Sequence, residues 1–135
     1  MRLKLLCVRE ATGGMAKNPE EVWKLMKAEA LADRECLWVL HLNTKLQIIE
    51  KELVAMGVLD HAAVHPREVF RKAVINSTAQ IITVHNHPSG SVEPSAEDRL
   101  IWTQLRNAGD ILGIEVTDNI IISRKGYYSQ KERGN

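Results

Sequence analysis

Hydrophobic and polar positions recur along this chain with two periods, one helical and one extended, and the switches between them mark out the elements. Gly13-Gly14 separates an N-terminal apolar stretch from Asn18-Pro19-Glu20-Glu21, which reads as a helix start. Asn is the cap, Pro takes the first helical position, and the acids lie near the positive end of the helix dipole. Val22, Leu25, Met26 and Leu31 continue the apolar stripe of that helix. The run from Glu35 to Leu42 is rich in strand formers. Asn43-Thr44-Lys45 then makes a tight turn into a second strand within the apolar run Leu46 to Val54. His65-Pro66-Arg67-Glu68 opens a second helix, with Val69, Phe70, Ala73 and Val74 on one face. Ala79 to Val84 has the β-branched character of a buried strand. Pro88 to Pro94, with its prolines, glycine and serines, is loop. A third helix runs from near Ser95 to about Leu112 and stops close to Gly113, and Ile114 to Ser123 forms a last strand. The order α, β, β, α, β, α, β predicts an α/β fold, a mixed sheet packed by helices.

A length of 135 residues suits one domain and one site. Its core is expected over about 20–123, between an N-terminal segment 1–17 and a polar tail 124–135 that should fray. Charged residues make up 26% and apolar ones 44%, a soluble globular balance. With 18 basic against 17 acidic side chains the net charge is +1, so the basic excess of a dedicated DNA-binding domain is missing. Cys7 and Cys36 cannot build a disulfide framework or a Cys-rich zinc site, and a reducing cytoplasm is the expected compartment. The apolar run at the N-terminus is too short for a signal peptide, and no segment approaches the roughly 18 to 20 apolar residues that cross a bilayer. The sequon Asn76-Ser77-Thr78 is read as chance.

Chemistry concentrates in His85-Asn86-His87-Pro88 and the Asp98 that follows. Residues i and i+2 of a strand share a face, so an extended His-x-His presents two imidazoles side by side. Asp98 falls in the first turn of the next helix, which the loop can fold back against the strand end. Two neutral imidazoles and a carboxylate make a three-ligand zinc site with a fourth position for water, whose pKa such a site lowers toward ~7.

The spacing, with six residues between Pro88 and Ser95 and two between Ser95 and Asp98, resembles the JAMM motif of the MPN-type metalloproteases. The words His85-Asn86-His87-Pro88-Ser89-Gly90, Pro94-Ser95-Ala96-Glu97-Asp98 and His65-Pro66-Arg67-Glu68-Val69-Phe70 are similar to those of the RadC-like branch, over roughly residues 20–123. The resemblance implies an MPN sandwich related in outline to the cytidine deaminases, with Zn2+ held by His85, His87 and Asp98. It implies Glu35 as the general base that later protonates the leaving amine, and Ser95 as a donor to the oxyanion. Glu50 and Glu52 are the fallback bases. The implied activity is that of a peptidase or isopeptidase acting on a peptide or protein substrate.

Blander readings stand beside these. The imidazoles could be satisfied by backbone carbonyls, Ser95-x-x-Asp98 is also a helix capping arrangement, and Glu35 could be a strand-edge charge. His41, His61 and His65 lack partner spacing and are expected at the surface or in packing, and Trp23, Trp38 and Trp102 in the core. HNH nucleases spread their motif over a ββα unit and do not match. A deaminase would need His-x-Glu and Pro-Cys-x-x-Cys. Longer RadC proteins carry a helix-hairpin-helix region ahead of this part, to which nothing here corresponds, and tend to carry Asp-His where this chain has Asp118-Asn119. The alternative function is a non-catalytic module on the same fold, linked to DNA repair through DNA or engaged with another protein. A purely structural metal is a weaker alternative.

Overall fold

Strand β1, Cys36–Leu42, is buried at every position, which requires cover on both faces of the sheet it belongs to. Its side chains divide with period two. Leu37 and Val39 join one apolar cluster, whereas Cys36, Trp38, Leu40 and Leu42 join another. The computed structural model describes residues 14–60 and 62–134. It places β1 second in a five-stranded sheet of order β2-β1-β3-β4-β5, with β2 at Ile48–Met56, β3 at Gln80–Asn86, β4 at Glu115–Ile122 and β5 at Tyr127–Ser129. β1 is antiparallel to both β2 and β3, β3 and β4 run parallel, and β5 returns antiparallel to β4. The sheet is therefore mixed, as the order of elements predicts.

Helix α1, Pro19–Leu25, starts on the Asn18 cap, whose side chain accepts from Glu21 N. A short 3-10 turn, Glu29–Leu31, follows it. Val22, Met26 and Ala30 from this segment cover one face of the sheet. Because the α-helical turn ends at Leu25, the expected stripe is not carried on to Leu31, which is 66% exposed. The other face is covered by α2, Pro66–Ile75, through Val69, Phe70 and Ala73, and by α3, Ala96–Leu112, through Ile101, Trp102 and Leu105. Val74, expected on the buried side of α2, lies open in its last turn. Burial of these aliphatic and aromatic side chains, about 1.5–3 kcal/mol each, is the main attraction that holds the layers on the sheet.

The described part of the tail, through Gly134, adds a strand and a short helix to the fold where fraying was expected. Tyr127 packs against one cluster and Tyr128 is buried in the other, and Gln130–Arg133 forms a short helix, α4. Its polar residues complete buried partners on β4: Ser129 Oγ donates to Asp118 and Lys131 N to Asp118 Oδ1 at 3.0 Å, while Asn119 Nδ2 donates to Gln130 Oε1 at 2.9 Å. Composition alone could not distinguish such a segment from a solvated end. The stretch through Gly13, with Cys7, and His61 lie outside the described residues. Among the described residues no helix is long and apolar enough to cross a membrane.

Candidate metal centre

β3 sits between β1 and β4, and its alternation assigns the motif to two faces. Ile81 belongs to the cluster beneath α2 and α3, and Thr83 and His85 share its face by period two, whereas Ile82 and Val84 join the opposite cluster. His85 is buried and lies opposite Leu37 on β1 and Ile121 on β4. At its back stands Trp102 of α3, with ring centroids 6.4 Å apart. The void behind His85 and Asp98, walled by Leu37, Leu59, Ile101 and Trp102, is about 10 Å³, no more than a single water needs.

His87 follows the strand end. Its N–H still donates to Ile122 O at 3.1 Å, and its carbonyl accepts from Gly90 N at 3.0 Å, closing a turn in which Gly90 takes φ 97. That left-handed value suits glycine, which has no Cβ to clash. The loop brings Ser91 back to the ring, and His87 Nδ1 lies 2.7 Å from Ser91 O. A carbonyl can only accept, so Nδ1 carries a hydrogen; in the neutral ring Nε2 then presents its lone pair, the usual device for orienting a metal-binding imidazole, and in the protonated ring Nε2 donates to Asp98.

Asp98 enters from the first turn of α3. Ser95 Oγ accepts from Asp98 N at 3.0 Å and Asp98 Oδ2 accepts from Ser95 N at 2.9 Å, a reciprocal capping box. The capping reading of this pair therefore holds in the structure, and it leaves the Ser95 hydroxyl its proton to donate. The same box turns the carboxylate toward the imidazoles, with Oδ1 3.4 Å from His85 Nε2 and Oδ2 3.3 Å from His87 Nε2. The two Nε2 atoms are 3.2 Å apart. Bonds of 2.0–2.1 Å to a tetrahedral ion put donor atoms about 3.3 Å apart; the two imidazole nitrogens meet that spacing, and each has one of the two Asp98 oxygens at a similar distance.

Glu35 reaches the same place from the residue before β1. Donor atoms of Glu35, His85 and His87 all lie within 4.8 Å of one another. Two overlapping sets of ligand-type groups thus share the imidazoles, one completed by Asp98 and the other by Glu35.

Charge is balanced locally. Burial by itself raises the Asp98 carboxyl, but hydrogen bonds from His85 and His87 outweigh it and hold the group far below the usual carboxylate range. The Asp98 hydrogen bond in turn raises His87 against the opposing effect of burial, helped by the Ser91 carbonyl and the nearby Glu35 charge.

The fallback bases are engaged elsewhere. Glu52 Oε1 lies 3.0 Å from His41 Nε2, and Glu50 pairs with Lys72 of α2. Both sit on β2, across from Val39 and His41, further along the ladder than the Leu37 that faces His85. His65 proves to be the cap of α2, with Nδ1 accepting from Arg67 N at 3.1 Å. Trp38 and Trp102 are buried, and Trp23 is half-buried with Nε1 donating to Ser123 O. The sequence assigned Asn86 no task. The structure buries it fully on the opposite face, with its amide bonded to the segment that precedes β1. The signal was available, since the residue between two same-face histidines must point into the other core, where an amide needs partners.

A mixed sheet with helices on both faces, and a His/His/Asp/Glu cluster at its strand ends, defines a JAB-type (MPN) domain with a candidate metal centre. The sequence profile of the RadC-like JAB domain matches residues 16–135, and the chain belongs to that family. It is similar to UPF0758 proteins: 50% identical over 101 residues to that of Chlorobium chlorochromatii, covering 75% of this chain and 46% of the relative. It is 43% identical over 114 residues to that of Thermotoga maritima, covering 84% and 51%. For Rubrobacter xylanophilus the values are 42% over 132 residues, 97% and 58%. The chain spans about half the length of these relatives.

Proposed function

We propose that this domain is a zinc-dependent hydrolase, a peptidase or isopeptidase that attacks an amide carbonyl of a peptide or protein substrate. The observation that carries the reading is the convergence of His85 Nε2 and His87 Nε2, 3.2 Å apart, on the Asp98 carboxylate, whose two oxygens lie 3.4 and 3.3 Å from them, with Glu35 near both rings. His85, His87 and Asp98 would hold the ion. When bound, zinc supplies a Lewis acid that polarises the carbonyl and lowers the pKa of a coordinated water.

The chain's own residues supply the remaining steps. Glu35, facing the imidazole pair, takes the proton of the attacking water and passes it to the departing amine, as a general base and then acid. Ser95 accepts from Asp98 N and keeps its hydroxyl proton for the oxyanion that develops. The dry wall of Leu37, Leu59 and Trp102 holds His85 and Asp98 in place and raises the strength of their mutual electrostatics.

Elemental analysis of the purified wild type beside His87→Ala tests the reading. One zinc per chain, lost in the variant, is the expected result, followed by hydrolysis in a screen of peptide and isopeptide substrates. Histidine and carboxylate donors also accept iron, cobalt, nickel or manganese, so all are measured. A wild type that binds none of them when offered in excess would end the proposal.

A further inference from the structure

The middle residue of His85-Asn86-His87 has a task of its own. Asn86 is fully buried on the sheet face opposite the imidazoles. Its Oδ1 accepts from Cys36 N at 2.8 Å, and its Nδ2 donates to Arg34 O at 3.0 Å and to Ala32 O at 3.3 Å. The Arg34 carbonyl belongs to the peptide group before Glu35, and the Cys36 N–H to the one after it. One side-chain amide therefore grips both peptide groups that flank Glu35. The Glu35 carbonyl is held as well, accepting from Gly57 N at 2.8 Å.

The geometry points to Asn86 as the positioning residue for Glu35, fixing its backbone from both sides so that its carboxylate faces the His85/His87 pair. This rests on the proposed metal-dependent chemistry of that site. The antiparallel register, with Leu37 opposite His85, sets Asn86 beside Cys36, and its amide bonds reach the residues around one acid, in the segment that has left the ladder with β3: that ladder begins at Leu37. Strand alternation explains how this is done without crowding the metal. His85 and Asn86 point to opposite faces, so the residue that aims the acid is locked to the residue that would bind the ion by a single peptide bond. Outer residues that orient groups at a metal commonly influence it strongly without touching it.

The test is a double-mutant cycle on the cobalt-loaded protein: wild type, Glu35→Gln, Asn86→Ala and the double variant. The readout is the pH midpoint of the visible absorption, with cobalt stoichiometry measured alongside. A carboxylate beside the titrating centre holds its proton, so Glu35→Gln should lower the midpoint by about one pH unit. Asn86→Ala should lower it in the same direction and add nothing in the Glu35→Gln background, because it acts through Glu35. Asn86→Asp, which keeps the acceptor and loses the donor, is run in parallel. An unmoved midpoint, or equal shifts with and without the Glu35 carboxylate, would overturn the assignment while leaving the metal site standing. Loss of the cooperative melt in both Asn86 variants would assign Asn86 to the fold and likewise overturn it. A wild type that takes up no metal would instead remove the reading on which it rests.

Discussion

Leu37 on β1 lies directly opposite His85 on β3. Glu35, two residues earlier and just before β1, brings its carboxylate within 4.8 Å of both imidazoles of the His85/His87 pair. If Glu35 is the base rather than an essential ligand, Glu35→Gln should retain the metal and lose turnover by on the order of 10²–10⁴. Elemental analysis paired with amide hydrolysis checks both halves. Activity close to wild type would remove the base assignment, and loss of the metal would make Glu35 a ligand.

Gly109 of α3 packs closely on the backbone that leads into β4. A Cβ there would stand 2.5 Å from Ile114 O and 3.3 Å from Val116 Cγ2, and Gly109 O already accepts from Ile114 N at 3.0 Å. Alanine is favoured over glycine in a helix by about 1 kcal/mol, but the obstacle is backbone, which cannot yield as a side-chain tip can. Gly109→Ala should therefore destabilise by a net of about 1–3 kcal/mol, read as a lower urea midpoint at constant m-value. A raised midpoint would mean that the start of β4 shifts at little cost.

Asn119 stands beside Asp118 on β4, where the resemblance to RadC-like sequences implies histidine. It is fully buried, with Oδ1 accepting from Thr83 Oγ1 and Nδ2 donating to Gln130, which also takes Arg106 Nη2 at 3.2 Å. The network ties β3, β4, α3 and α4 together at Thr83, two residues along β3 from His85. Asn119→Ala leaves Thr83 and Gln130 short of a partner and should cost about 1–3 kcal/mol with the metal stoichiometry unchanged. Loss of metal at full stability would show that the network acts on the site instead.

The elements were legible because their periods were clean. Asn18, His65-Pro66 and Ser95 mark helix starts that the structure keeps, and the β-branched run into His85 gave the central strand. The convergence of His85, His87 and Asp98 could be read because strand alternation and a short loop leave few other arrangements. What stayed hidden depends on contacts distant in sequence. The tail after Ser123 looked like a solvated end, since nothing local reveals that Ser129 and Lys131 meet Asp118. Glu50 and Glu52 could be set aside only once Lys72 and His41 were seen beside them. Asn86 gave no local sign of a task, because its partners, Ala32, Arg34 and Cys36, precede it by about fifty residues.

Asp118 should give the fold a pH signature of its own. Burial raises its carboxyl, against hydrogen bonds from Ser129, Lys131 N and Asn119 N. Between the unfolded value near ~3.9 and the raised native one, the native state holds more proton than the unfolded chain. The stability contributed by Asp118 thus increases as pH falls through that window. Asp98 works in the opposite sense, since its depressed native pKa gives stability that is lost as pH falls, but it is common to wild type and Asp118→Asn and cancels in their difference. Urea midpoints of the two proteins, from about pH 7 down to about pH 4, should therefore show wild type gaining on the variant with acidification. A difference that does not vary with pH would mean that the bonds from Ser129 and the backbone fully offset the burial of Asp118.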